Sequence, residues 1–179
     1  MNAQAPASPD PASYARACVE AIVEGRSLPS APDHAFFGHA AGCFVSIKEA
    51  GELRGCIGTL VPGESNLGDE IARNARSAAL SDPRFPPVVP DELPSLTYSV
   101  DVLSDSEPCA LDELDPTRFG VIVESGWRRG VLLPDLPGVD TVARQVAIAL
   151  QKAAISPNEP FALKRFTVTR YREFGGHGT

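Results

Sequence analysis

The chain has 179 residues, 43% of them hydrophobic and 22% charged, with sixteen Lys and Arg against 23 Asp and Glu for a net charge of −7. That balance belongs to a globular fold and excludes general disorder, and the acidic surface, which no Lys/Arg-rich run offsets, argues against a nucleic-acid partner. No stretch approaches the roughly 20 apolar residues of a membrane-spanning helix, and the N-terminus has neither the basic start nor the apolar run of a secretory leader.

A cytoplasmic location and four free thiols, at positions 18, 43, 56 and 109, are therefore expected, with no disulfide scaffold. The three histidines have no ligand spacing with any cysteine, so no structural metal site and no cofactor are expected.

Residues 1–11 read as a flexible tail that ends at a helix start, with Asp10 as the cap and Pro11 in the first turn. Tyr14, Cys18 and Ile22 recur at helical spacing and Gly25 supplies the stop. Leu28 to Phe37, with two prolines, reads as a loop. Gly42–Lys48 and Leu53–Thr59 read as a hairpin turning at Ala50-Gly51. A second helix is predicted from about Asn66 to Leu80, with Leu67, Ile71, Ala75 and Ala78 on a thin, alanine-rich face. Pro83 ends it, and Arg84-Phe85-Pro86-Pro87 follows as a stiff extended loop.

Leu96–Leu103 alternates as a half-buried strand. Phe119–Glu124 and Trp127–Leu133 form a second predicted hairpin around Ser125-Gly126. A third helix begins at the cap Asp140 and carries Val142, Val146, Leu150 and Ala153 on one stripe. Leu163–Tyr171 is a final strand, and 175–179 a C-terminal tail. The order predicts an α+β fold with largely antiparallel sheets and three main helices.

The segment that departs furthest from ordinary strand chemistry is Leu53-Arg54-Gly55-Cys56-Ile57-Gly58-Thr59. Glycines weaken a strand, so a bulge, a close neighbour or a ligand against the backbone is expected at Gly55 and Gly58. Strict alternation puts Arg54, Cys56 and Gly58 on one face, where a guanidinium two residues from a thiol favours the thiolate. Cys56 is thus a candidate nucleophile and Arg54 its stabiliser. The opposite reading follows from the hairpin: a two-residue turn sets Cys56 across from Val45, as a small buried hydrophobe.

The second candidate is Asp82-Pro83-Arg84-Phe85. Either Arg84 clamps an anion, or Asp82 and Arg84 pair internally with Phe85 as an anchor. Arg73, Asn74 and Ser77 share a helix face that reads as a ligand face or a solvated one. Trp127-Arg128-Arg129 reads as a cation–π or anion site, or as a solubilising edge.

These blocks resemble the AMMECR domain family, protein A of the AmmeMemoRadiSam system. Leu53–Thr59 is similar to its signature strand. Ser77-Ala78-Ala79, Asp82–Pro87 and Glu92-Leu93-Pro94 are similar to its second block. Gly130–Pro134, Gln151-Lys152-Ala153 and Thr169-Arg170-Tyr171 resemble weaker downstream blocks.

The resemblance spans residues 12–174 as one AMMECR domain. It implies a larger and a smaller lobe around a cleft that holds a small molecule or peptide. Arg54, Gly55, Cys56, Gly58, Thr59, Asp82, Arg84 and Phe85 are the positions it marks. It also implies a shared pathway with a Memo-like protein and a radical S-adenosylmethionine enzyme, and leaves the activity itself unassigned. A thiol-dependent enzyme using Cys56, or an adaptor whose signature strand is purely architectural, are the alternatives.

Overall fold

The computed structural model describes residues 9–173, so the two predicted tails fall largely or wholly outside the described residues. The chain divides into two compact units, residues 1–102 with 170–179, and residues 103–169.

In the first unit, α1 (Pro11–Val23) starts where Asp10 accepts the Ser13 amide, as the sequence predicts. A short helical turn, α2 (Ala35–Gly38), interrupts the predicted loop; the His34 ring caps it by accepting the Phe36 amide. Strands β1 (Cys43–Glu49) and β2 (Glu52–Thr59) follow, then helix α3 (Leu67–Leu80), which Asn66 caps. A 3-10 segment over 90–95 leads into β3 (Leu96–Leu103). The sheet order is β2-β1-β3-β8, with β8 spanning Val168–Arg172.

The inner face of this sheet carries Cys43, Val45, Ile47, Leu96, Tyr98 and Val100, which close over Ile71, Ala75 and Ala78 of α3 and Ala15, Cys18 and Val19 of α1. The alanines thin the helix enough for Gly55 of β2 to sit against its backbone. A Cβ at Gly55 would lie 2.3 Å from the carbonyl oxygen of Ala78. That close approach is the reason for the glycine.

The hairpin departs from the predicted register by one residue. Its turn is the expected two-residue one, with Ala50 at φ 49° and Gly51 at φ 86°, matching the twist of the strands. Beyond it Lys48 faces Leu53 but Ile47 faces Gly55, which leaves Arg54 as an extra, bulged residue. A one-residue slip moves every later side chain to the other face. Cys56 therefore pairs with Ser46 instead of Val45, and belongs to the face opposite the helices.

In the second unit, β5 (Gly120–Ser125) and β6 (Arg128–Leu132) form the predicted second hairpin. Helix α4 (Val142–Lys152) is capped by Thr141, one residue later than the predicted Asp140. The final strand is in fact two: β7 (Ala162–Phe166) and β8 part at Thr167 and enter different sheets. With β4 (Glu107–Pro108), the second sheet runs β4-β7-β5-β6, and Val121, Val123, Val146, Ala149 and Leu150 form its core. The fold is α+β with antiparallel sheets, as expected.

Candidate functional site

Strand β2 is an edge strand, so every second residue turns its backbone N–H and C=O away from β1. At Cys56 the second block supplies the missing partners. The Cys56 amide donates to Asp82 Oδ2 at 2.9 Å, and Arg84 Nη2 donates to the Cys56 carbonyl at 3.0 Å. Asp82 and Arg84 are themselves joined through Nη2–Oδ2 at 2.7 Å and Nε–Oδ1 at 2.9 Å.

The stiff loop makes this possible. Pro83 ends α3, the Arg84 amide donates to Asp82 Oδ1, and the Phe85 amide closes a turn on the Asp82 carbonyl. Asp82 is only 4% exposed, and the Arg84 guanidinium beside it holds its carboxyl well below the usual carboxylate range. Arg84, by contrast, keeps about half of its side chain in solvent and lies over the Phe85 ring. The internal pair is thus the arrangement present.

Arg54 is engaged elsewhere. Its Nε and Nη2 grip Glu92 at 2.7 and 3.0 Å, and Nη1 donates to the Pro86 carbonyl at 3.0 Å. This bidentate pair lowers the Glu92 pKa and ties the bulge of β2 to the start of the 3-10 segment. The guanidinium closest to Cys56 in bonding is that of Arg84, acting on the main chain.

The Cys56 side chain is half-buried on the outer face, where Ser46 Oγ donates to Sγ at 3.2 Å. Cross-strand register continues the row from Ser46 to Ser99 on β3. Gly58 faces Phe44, and a Cβ there would lie 2.3 Å from the Phe44 ring. Hence Gly58 leaves space that Phe44 fills. Burial pushes Cys18 up to about 11 and Cys43 up to about 12, and both are wholly buried, while burial also raises the pKa of the partly buried Cys109.

Thr59 points to a cluster that periodicity did not single out. Its hydroxyl donates to Glu70, a fully buried carboxylate that also accepts the amides of Gly63 and Glu64 at 2.7 and 2.8 Å. Asn74 donates to Thr59 Oγ1 at 3.2 Å and to the Cys43 carbonyl at 3.0 Å. Asn74 is therefore a buried brace, while Arg73 on the same helix pairs with Glu64. The signal available was an ionisable residue, Glu70, on an otherwise apolar helical stripe.

Trp127 is 92% exposed at the tip of the second hairpin, and its neighbours Arg128 and Arg129 pair with Glu159 and Glu124. Among the described residues no group of three or more His, Cys, Asp or Glu is placed to hold a metal ion, and no helix is long and apolar enough to cross a membrane.

The profile of the AMMECR1 family matches residues 12–174. A protein of Thermotoga maritima is 53% identical over 139 residues, covering 76% of this chain and 80% of its own. A protein of Clostridium acetobutylicum is 51% identical over 132 residues; the match covers 74% of this chain but only 28% of that protein. The crystal structure of an uncharacterized protein from Pyrococcus horikoshii superposes with a TM-score of 0.78 at 27% identity, over 94% of this chain and 92% of the other.

Proposed function

The chain belongs to the AMMECR1 family, and we propose that it binds a small molecule or peptide at the signature strand, with Cys56 presenting the contacting group. One observation carries this reading. A buried carboxylate and a guanidinium, Asp82 and Arg84, hold both backbone polar groups of a single edge residue, yet leave its thiol partly open on the outer face. Edge protection alone is met by a charge or a short strand. Fixing the main chain on both sides of one half-exposed sulfur positions that atom, which is what a binding site on a rigid element needs.

Phe85, Gly58 and Thr59 flank the same stretch. The sequence resemblance adds the setting: a cytoplasmic pathway shared with a Memo-like protein and a radical S-adenosylmethionine enzyme. A second reading, with Cys56 as a nucleophile, is favoured by its half-exposed side chain, to whose Sγ the Ser46 hydroxyl donates.

Iodoacetamide labelling of the folded protein at neutral pH, read peptide by peptide by mass spectrometry, tests both. Cys56 is expected to react before Cys18 and Cys43. A thermal-shift screen against metabolites and peptides, run on wild type and Cys56→Ala, then reports binding. Labelling of Cys56 no faster than of the two buried thiols removes the basis of the proposal, and ligand shifts that persist in Cys56→Ala remove the thiol from the site.

A further inference from the structure

A cavity of about 600 Å³ lies in the first unit, apart from the Cys56 thiol, at the start of β3 and the end of β8. Its volume is that of a small-molecule site. Its charge is opposite to that of the chain as a whole. Arg16, Lys48 and Arg172 line it, against the single carboxylate of Glu173. That carboxylate is already neutralised: Arg16 grips both of its oxygens, and the Tyr98 amide donates to it at 3.0 Å. Among the described residues the side chains of Lys48 and Arg172 have no ion-pair partner, and both are exposed.

On a protein of net charge −7, two uncompensated cations converging on one concavity form a local positive field of the kind that draws an anion. The register places Lys48 beside the hydroxyls of β3. Lys48 on β1 lies opposite Thr97 on β3, and Ser99 lies two residues further along the same strand. The hydroxyls of Thr97 and Ser99 add neutral hydrogen-bonding groups beside the two charges. A guanidinium and an ammonium with hydroxyls between them are complementary to a compact oxyanion, the guanidinium in two-pronged fashion and the ammonium as a point charge.

We infer that this cavity binds the phosphate or carboxylate group of a small anionic metabolite through Lys48 and Arg172. The Cys56 row ends near it: Cys56 faces Ser46, and Ser46 faces Ser99, so the sulfur and Ser99 stand two strands apart, roughly 10 Å. The inference stands independently of the role proposed for Cys56.

The test is thermal melting and titration calorimetry of the whole chain with pyrophosphate and with succinate, at an ionic strength held constant with chloride. Pyrophosphate or succinate is expected to raise the melting temperature in a saturable way, and which of the two does so distinguishes phosphate from carboxylate recognition. The double variant Lys48→Met/Arg172→Met, both positions being exposed, is expected to melt as wild type without anion and to lose at least tenfold in apparent affinity. Cys56→Ala is expected to respond as wild type does. No response to either anion beyond that of chloride overturns the inference, as does a response unchanged in the double variant. Should the double variant melt lower on its own, Lys48→Gln and Arg172→Gln tested singly decide by the same criterion.

Discussion

Asp82, a buried carboxylate, accepts the amide of Cys56 on a strand twenty-six residues earlier in the chain. This bond joins the two ordered blocks of the signature and accounts for their co-occurrence: one block is an edge strand that lacks partners, the other a loop shaped to supply them. Arg84 completes the arrangement from the solvent side.

Removing that carboxylate strands two amides, of Cys56 and Arg84, and unpairs the Arg84 guanidinium. Asp82→Ala is expected to cost about 1–3 kcal/mol in urea denaturation, the usual penalty for a buried donor left without a partner. Arg84→Ala leaves that carboxylate, 2% exposed, without its counter-charge, and is expected to cost a comparable amount. A loss below about 0.5 kcal/mol from either substitution contradicts this account.

The same carboxylate carries a pH signature. Its folded pKa lies below the unfolded value because Arg84 and two amides favour the charged form. The stabilisation is therefore complete above the ordinary carboxylate pKa, and declines as acid protonates the group toward its lowered folded value. The melting-temperature gap between wild type and Asp82→Asn is expected to be widest near about pH 7 and to narrow below about pH 4. A gap independent of pH from neutral to acid counts against the linkage.

Gly55→Ala places a methyl group 2.3 Å from the Ala78 carbonyl oxygen, part of a helix backbone that cannot yield locally. A loss of about 1–3 kcal/mol or more is expected. Gly38→Ala is the control, since its added carbon meets nothing within 4 Å. Comparable melting temperatures for the two variants contradict the packing argument.

Tyr98 is 3% exposed, its hydroxyl has no hydrogen-bond partner among the described residues, and burial pushes its pKa upward. Tyr98→Phe removes that unsatisfied group while keeping the ring beneath Arg16. A gain of about 1 kcal/mol is expected by chemical denaturation. A clear loss of stability shows that the hydroxyl has a partner in solution.

Glu70 gathers three donors in a fully buried position. Glu70→Gln keeps an oxygen for the Gly63 and Glu64 amides and should cost about 1 kcal/mol; Glu70→Ala abandons all three donors and should cost about 3 kcal/mol. The ratio, read from urea midpoints, separates a hydrogen-bonding role from simple filling of space.

Periodicity, caps and turn chemistry made most elements legible. Tyr14, Cys18 and the Asp10-Pro11 start define α1, and the Ala50-Gly51 turn and the thin face of α3 are readable in the same way, because each depends on neighbours a few residues away. The split of Leu163–Tyr171 was not legible, since a strand that changes sheets at Thr167 has the composition of one that does not. Nor was the buried role of Asn74, whose partners Cys43 and Thr59 come from other strands.

From local chemistry alone come the α+β order, the two signature blocks and the presence of a glycine-flanked thiol. Which way that thiol faces was settled by a single extra residue in β2. Arg54, bulged out and gripped by Glu92 from thirty-eight residues away, shifts the ladder by one and carries Cys56 from the helix side to the open side. Side chains alternate with a period of two, so one unpaired residue inverts the face of everything beyond it. The bond that holds the bulge forms only when distant parts of the chain meet.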